Sequence, residues 1–331
     1  MWFRQISKDS DVVVSSRIRL ARNLNGYKFP HMLNEKESND MIDILSDTIN
    51  KKEYDVFKMK DIDENTKYSL IEQYLISKEF IKKINGGIIL NKDNSIVTMI
   101  NEEDHLRIQA FESGFNLDKC YEKIFEFTNS LEEKIKFAKS DKYGYLTACP
   151  TNVGSGIRVS VMMHLPGLEK IKLLPKIFDE IINIGVSVRG IYGENTEGIA
   201  SMYQISNQKT LGISDELIIS NMKAIINSII EEERKARKIL KNNSIYLEDE
   251  VYRAYGILKN ARYMSEEEAF ELLSKLRLGV TLDLIPEVTL QKVQMLLVNI
   301  KPHTLRIILK EQFTKEEEKI KRGKYIREEL N

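Results

Sequence analysis

The sequence predicts an α+β fold followed by an all-α C-terminal domain, and three stretches carry that reading. In residues 157–165, Ile157, Val159, Val161, Met163 and Leu165 take one side, while Arg158, Ser160, Met162 and His164 take the other, as in a half-buried strand. Two strand-like runs, 88–90 and 95–100, flank Asn91-Lys92-Asp93-Asn94, which predicts an antiparallel hairpin. Past Asn242-Asn243-Ser244, read as a linker, every periodic segment is helical. The expected domains are therefore 1–241 and 245–331.

The elements follow in order. Asp11-Val12-Val13-Val14 opens an extended run into Ser15-Ser16-Arg17-Ile18-Arg19, and Arg17 and Arg19, two residues apart, share a face if that run is a strand. Residues 35–85 read as amphipathic helices, with Met41, Ile44, Leu45 and Ile49 at helical spacing, until Gly86-Gly87 breaks the pattern. The hairpin ends on Asn101-Glu102-Glu103-Asp104-His105-Leu106-Arg107. A helix is expected over 117–138, then a strand at 145–148 leading into Cys149-Pro150-Thr151-Asn152-Val153-Gly154-Ser155-Gly156. In that turn-rich loop Gly154 and Gly156 allow unusual backbone angles and close ligand approach. A helix near 168–183, a strand at 186–188, a glycine-rich loop over 189–198 and a strand at 201–207 come next. Ser214 caps a long helix to about 241, with Asp215 and Glu216 in its first turn and Ile218, Met222, Ile225, Ile226, Ile229 and Ile230 as its stripe. In the C-terminal part, Ser265-Glu266-Glu267-Glu268 reads as a capping box and Leu290, Val293, Leu296, Leu297 and Ile300 as a further stripe.

Composition narrows the function. With 50 Lys+Arg against 50 Asp+Glu in 331 residues, no net field is available to hold a polyanion, so direct nucleic-acid binding is disfavoured. Cys120 and Cys149 form at most one bridge, which excludes a disulfide scaffold and predicts reduced thiols and a cytoplasmic location. Four histidines without paired spacing predict no zinc site. The start, Met1-Trp2-Phe3-Arg4-Gln5, runs into charged sequence, so neither a signal peptide nor a membrane span is expected.

Arginines at strand ends carry the chemistry. Three segments bear them, Arg17 with Arg19, Arg107, and Arg158 with Arg189, and guanidinium groups bind phosphate bidentately at any working pH. Converging, they would grip a triphosphate without a Walker loop, and no Gly-x-x-x-x-Gly-Lys-Ser/Thr occurs. Glu102, Glu103 and Asp104 crowd one strand end, and Glu194 and Glu197 lie in the glycine-rich loop. Two carboxylates bracketing a guanidinium would hold it in line with a phosphoryl donor, one accepting its proton, with a thiolate at Cys149 as a third negative contact. Cys120 reads as packing, and His164 as a hydrogen-bonded structural group.

Ser-Ser-Arg-Ile-Arg at 15–19, Asn-Glu-Glu-Asp-His-Leu-Arg at 101–107, Cys-Pro-Thr-Asn-x-Gly at 149–154 and Arg-Gly-x-x-Gly-Glu at 189–194 together resemble the phosphagen (guanidino) kinase family. Arg-Gly-Ile-Tyr-Gly-Glu, Tyr203-Gln204-Ile205-Ser206-Asn207-Gln208, Tyr255-Gly256-Ile257-Leu258 and Leu276-Arg277-Leu278-Gly279 point to its bacterial branch acting on protein arginines. The motifs start at residue 15, leaving no room for the N-terminal helical domain of the small-molecule kinases.

The resemblance implies an antiparallel sheet flanked by helices, a C-terminal helical domain that forms a homodimer, and ATP-dependent phosphorylation of protein arginine side chains to N-phosphoarginine. It places Ser15, Ser16, Arg17, Ile18, Arg19, Tyr74, Arg107, Arg158, Val159, Ser160, Val161, Met162, Arg189, Gly190, Ile191, Tyr192, Gly193 and Glu194 at ATP. It makes Glu103 the catalytic carboxylate, Glu194 its partner on the guanidinium and Cys149 the thiolate beside the reacting nitrogen. His105 would neighbour the nucleotide, and Tyr74 stands where the bacterial kinases usually have histidine. Magnesium is held by phosphates and water, with no protein ligand cage. Implied partners are protein substrates with accessible arginine, a zinc-binding activator, a heat-shock repressor and a Clp ATPase, within a stress response and Clp-dependent degradation. The C-terminal phosphoarginine motif, Arg-Asp-x-x-Arg-Ala, is here Glu318-Lys319-Ile320-Lys321-Arg322-Gly323, which keeps only Arg322. A free-arginine kinase and a non-catalytic phosphoarginine-binding adaptor are the alternatives.

Overall fold

Alternation over Val13–Arg22 builds the central strand, β1, whose odd-numbered residues from Ser15 to Arg19 are half-buried and whose even-numbered ones are buried. The computed structural model describes residues 1–190, 193–194, 199–242 and 244–331. After β1 come α1 (Glu35–Thr48), β2 (Tyr54–Lys58), α2 (Glu64–Glu72), β3 (Gly87–Asn91), β4 (Ile96–Ile100), β5 (Leu106–Ser113) and α3 (Leu117–Glu132). Next are β6 (Lys139–Ser140), β7 (Gly144–Tyr145), β8 (Ile157–His164), α4 (Pro166–Lys170), α5 (Leu174–Asn183), β9 (Val186–Gly190), β10 (Gly193–Glu194) and β11 (Met202–Asn207). The long α6 (Asp215–Asn242) leads to α7 (Ser244–Asn260), α8 (Glu266–Thr281), α9 (Leu290–Asn299), α10 (Pro302–Leu309) and α11 (Lys315–Leu330).

The main sheet runs β10-β9-β11-β8-β1-β5-β4-β3-β2 and its described pairings are all antiparallel. One of its faces carries Ile18, Leu20, Ile108, Ala110, Val159 and Val161, buried with Met41 and Leu45 of α1, Ile124 and Phe127 of α3, and Ile226 and Ile229 of α6. A second apolar cluster joins Trp2, Phe3, Val97, Met99 and Phe111 to Leu273 and Leu276 of α8 and Val293 and Leu297 of α9. The C-terminal helices thus share a core with the opposite face of the sheet.

Four expectations about the elements need correction. Residues 35–85 are not all helical, because the short edge strand β2 sits between α1 and α2. The stretch 106–113, to which the sequence reading assigns no element, is the strand β5, paired along β1 with Arg107 and Gln109 on its polar side. The helix expected over 168–183 is divided where Lys172 adopts φ 60. The strand expected at 145–148 stops at Tyr145, and α3 ends at Glu132.

Candidate active site

Residues paired across an antiparallel sheet lie on the same face, so the register assigns the arginines directly. Arg19 sits opposite Arg158, Ala21 opposite Arg107, and Gln204 opposite both Met162 and Arg189. The face away from α1, α3 and α6 therefore carries Arg17, Arg19, Arg107, Arg158 and Arg189. Arg17 Nη2 donates to Gln204 Oε1 at 2.8 Å, and Arg158 Nη2 donates to Ser187 and Ser206 hydroxyls at 3.1 and 3.0 Å. Burial, then repulsion from Arg107, Arg158 and Arg189, pushes Arg17 down to about 9. Burial and then Arg17, Arg107 and Arg158 push Arg19 well below its ordinary value. Cations crowded in this way gain most from an anion with several negative charges.

The same alternation corrects part of the expected nucleotide set. Ser16, Ile18, Val159 and Val161 belong to the matching stretches, but their side chains lie on the other face. Ile18, Val159 and Val161 are in the core, and Ser16 Oγ donates to Gly114 O at 2.7 Å. Ile191 and Tyr192 lie outside the described residues, as does the Glu194 side chain; the backbone of Gly193 and Glu194 pairs with Gly190 and Arg189.

Beside the arginines, Glu102 is buried and takes Arg107 Nη1 on both oxygens at 2.8 and 2.6 Å and Ser77 Oγ at 2.5 Å. Burial raises this carboxyl, but Arg107, Ser77 and Arg19 together hold it below its usual range. Glu103, next in the chain, is exposed. Asp104 turns inward and accepts from Asn23 Nδ2 and from the backbone N–H of Ala148, both at 2.6 Å. That last bond ties the acidic loop to the residue before Cys149, so the peptides bearing Glu103 and Cys149 are neighbours. Cys149 is half-buried, with Sγ 3.0 Å from Thr151 Oγ1.

Two clefts border the arginine face. One, narrow and mostly apolar, is lined by Trp2, Ser15, Arg17, Tyr74, Phe111, Ser160 and Met162 together with residues of α8 and α9. The Lys301 ammonium stands 3.9 Å from the centre of the Tyr74 ring and occupies one of its faces. The other cleft joins Arg158 and Arg189 to Thr151 and Asn152 beside Cys149.

His105 is not a site residue. It is fully buried, accepts from Leu24 N–H on Nδ1 at 3.1 Å, donates from Nε2 to Lys28 O at 2.8 Å, and burial pushes it down to about 4. The glycines of the 149–156 loop also differ from expectation, since protein rather than ligand approaches them. A β-carbon on Gly154 (φ +110) would meet Thr210 O at 2.7 Å, and one on Gly156 (φ +65) would meet Arg22 Nη1 at 2.8 Å. His164 and Cys120 are structural: His164 bonds Ser274 and Arg277, and Cys120 Sγ donates to Ser16 O. Arg322 is buried, with its donors spent on Ile300 O, Met264 O and Glu318, so it ties the C-terminal helices together. Gln204, Ser187 and Ser206 were missed by sequence reasoning, although the alternation of 201–207 already put Gln204 and Ser206 on one face; Asp104 was read in the acidic cluster, but not as the tie to Ala148.

Five arginines gathered on one sheet face beside an acidic loop and a thiol suit a phosphotransferase site, and the comparisons agree. The model of the ATP:guanido phosphotransferase C-terminal catalytic domain matches residues 36–236, and that of the protein-arginine kinase McsB C-terminal domain matches 244–331. The chain belongs to the ATP:guanido phosphotransferase family and, within it, to the protein-arginine kinases. It is 41% identical over 336 residues to the protein-arginine kinase of Clostridium acetobutylicum, covering 99% of both chains. It is 41% identical to that of Halothermothrix orenii, covering all of this chain and 96% of the relative. Among solved structures, the duplicated taurocyamine kinase of Schistosoma mansoni, bound to transition-state analogue components, superposes with a TM-score of 0.61 at 28% identity, covering 68% of this chain and 33% of that one. Lombricine kinase superposes with a TM-score of 0.60 at 21% identity over 70% of each chain, a likeness of fold. No helix among the described residues is long and apolar enough to cross a membrane.

Proposed function

We propose that this protein transfers the γ-phosphoryl group of ATP to arginine side chains of proteins, giving N-phosphoarginine. One observation carries the reading: five arginines on one sheet face adjoin an apolar cleft on one side and, on the other, an acidic loop latched to Ala148, the residue before Cys149. The triphosphate lies across Arg17, Arg19, Arg107, Arg158 and Arg189, with the base in the cleft beside Tyr74 and Met162. Glu103 and Glu194 bracket the acceptor guanidinium, and the sulfur of Cys149 faces it. As a guanidinium nitrogen forms its bond to the γ-phosphorus, the bond to the ADP oxygen breaks and Glu103 takes the proton. Guanidinium walls offer a cation no ligands, so magnesium would have to be held by the phosphates and water, and would there supply shielding of the phosphate charge. Residues 1–241 form the catalytic unit and 245–331 a helical unit that carries homodimerisation. The cell compartment is the cytoplasm, and a zinc-binding activator, a heat-shock repressor and a Clp ATPase fit a role in stress-linked degradation.

Incubation with ATP and either free arginine or an unfolded protein tests this, with mass analysis under conditions that preserve acid-labile N–P bonds. Phosphorylated protein arginines are expected. Turnover of the free amino acid alone defeats the reading.

A further inference from the structure

The apolar cleft has one wall that comes from none of the kinase motifs. Gln294 of α9, with Phe270 of α8 and Leu297 and Val298 of α9, lines it together with Ser15, Arg17, Ser160 and Met162 of the sheet. Gln294 is only 1% exposed. Its Nε2 donates to Gln5 O at 3.4 Å, and the reverse amide orientation would set two carbonyl oxygens against each other. Among the described residues its Oε1 is left buried with no hydrogen-bond partner, and so is the hydroxyl of Ser160, itself 2% exposed. Buried acceptors without donors are rare and costly, and two orphaned groups in the wall of one cleft point to a ligand that satisfies them.

We propose that Gln294 is a specificity-determining residue for the nucleotide, its Oε1 accepting a hydrogen bond from the 6-amino group of adenine. The proposal rests on the reading of the cleft as the ATP base site. Trp2, Tyr74 and Phe111 give that cleft the aromatic walls a flat base requires. A 6-oxo purine presents an acceptor where adenine presents a donor, so Gln294 opposes guanine with like-signed partial charge. The Ser160 hydroxyl both donates and accepts, and does not discriminate. Selection of the nucleotide is in this way shared with α9, a helix of the C-terminal segment, while the phosphates are held entirely by the sheet.

The test uses the full-length protein and three nucleotides: ATP, GTP and purine riboside triphosphate, which is ATP without its 6-amino group. Direct titration of the wild type is expected to show purine riboside triphosphate binding about five- to tenfold more weakly than ATP, the effect of one neutral hydrogen bond. Gln294→Leu is expected to lose the same factor for ATP, to become indifferent between the two, and to keep kcat at saturating ATP. Equal wild-type binding of ATP and purine riboside triphosphate overturns the proposal without any variant, so a Leu variant that does not fold leaves it testable. A folded Gln294→Leu that keeps the full wild-type preference, or that loses kcat alone, also overturns it. Wild type that binds no nucleotide at all removes the kinase reading itself, a different result from binding that ignores the 6-amino group.

Discussion

Ile18 and Arg19 are neighbours in β1 and stand in opposite surroundings. Ile18 is fully buried in the cluster formed with α1, α3 and α6, where burying such a side chain stabilises by about 1.5–3 kcal/mol. Arg19 faces Arg158 across the sheet, is repelled by the arginines around it, and has an Nε with no partner among the described residues. One face of a single strand holds the fold together, and the other stores unfavourable charge that an anion relieves. Variants on the two faces should therefore fail differently.

The largest separation is expected at the acidic loop. Glu103 is exposed, so Glu103→Gln should shift unfolding free energy by no more than about 0.5 kcal/mol while lowering kcat about 10²- to 10⁴-fold. Steady-state rates alongside urea melts check both halves, and a variant with wild-type turnover takes Glu103 out of the chemistry. On the opposite face, Ile18→Ala should cost about 2–5 kcal/mol of stability and leave the ATP KM of the folded enzyme unchanged. A fall in ATP affinity that outpaces the loss of folded protein would show that the two faces are not independent.

The division between faces was readable from the chain because alternation is a backbone property: Arg17 and Arg19, or Ile157 and Val159, declare their sides without neighbours. What could not be read was the partnering. Strand β5 does alternate, with Leu106, Ile108 and Ala110 in the core and Arg107 and Gln109 opposite, but its first residues close the acidic motif 101–107 and the sequence reading assigns no strand there. His105, set among acids, looked like a site residue, yet its bonds go to Leu24 and Lys28, far back in the chain. Gln294 lacked any signal, since a glutamine on a helical stripe is remarkable only once its carbonyl is seen to be unpartnered.

Histidine burial belongs to the stabilising side of the comparison and predicts a pH effect of intermediate size. His105 is held neutral, pushed by burial from its ordinary 6.5 down to about 4. The unfolded chain takes up the proton first, so this stability is complete above about pH 6.5 and declines as pH falls toward 4. By pH 5 the loss is about 2 kcal/mol from His105. His164 is shifted the same way, by burial and then by Arg277 and Arg237. Urea melts at pH 7 and 5 should show this decline and a shallower one in His105→Asn; equal slopes for the two proteins would mean that His105 does not titrate as described.

The smallest expected change has the opposite sign, which makes it the sharpest test of stored charge. Arg19→Met keeps much of the arginine's apolar stem and removes one of the repelling cations. Without nucleotide the variant should be as stable as wild type or more stable, by up to about 1 kcal/mol, because relief of like-charge repulsion and of a buried unpaired Nε outweighs the loss of a partly buried guanidinium. With saturating ATP the order should reverse, since ligand binding stabilises by an amount that grows with the logarithm of affinity and the variant has lost a phosphate contact. Melting curves of both proteins with and without ATP check the crossing. If Arg19→Met is less stable even without nucleotide, Arg19 contributes to the fold and the arginine face is not a reservoir of unfavourable charge.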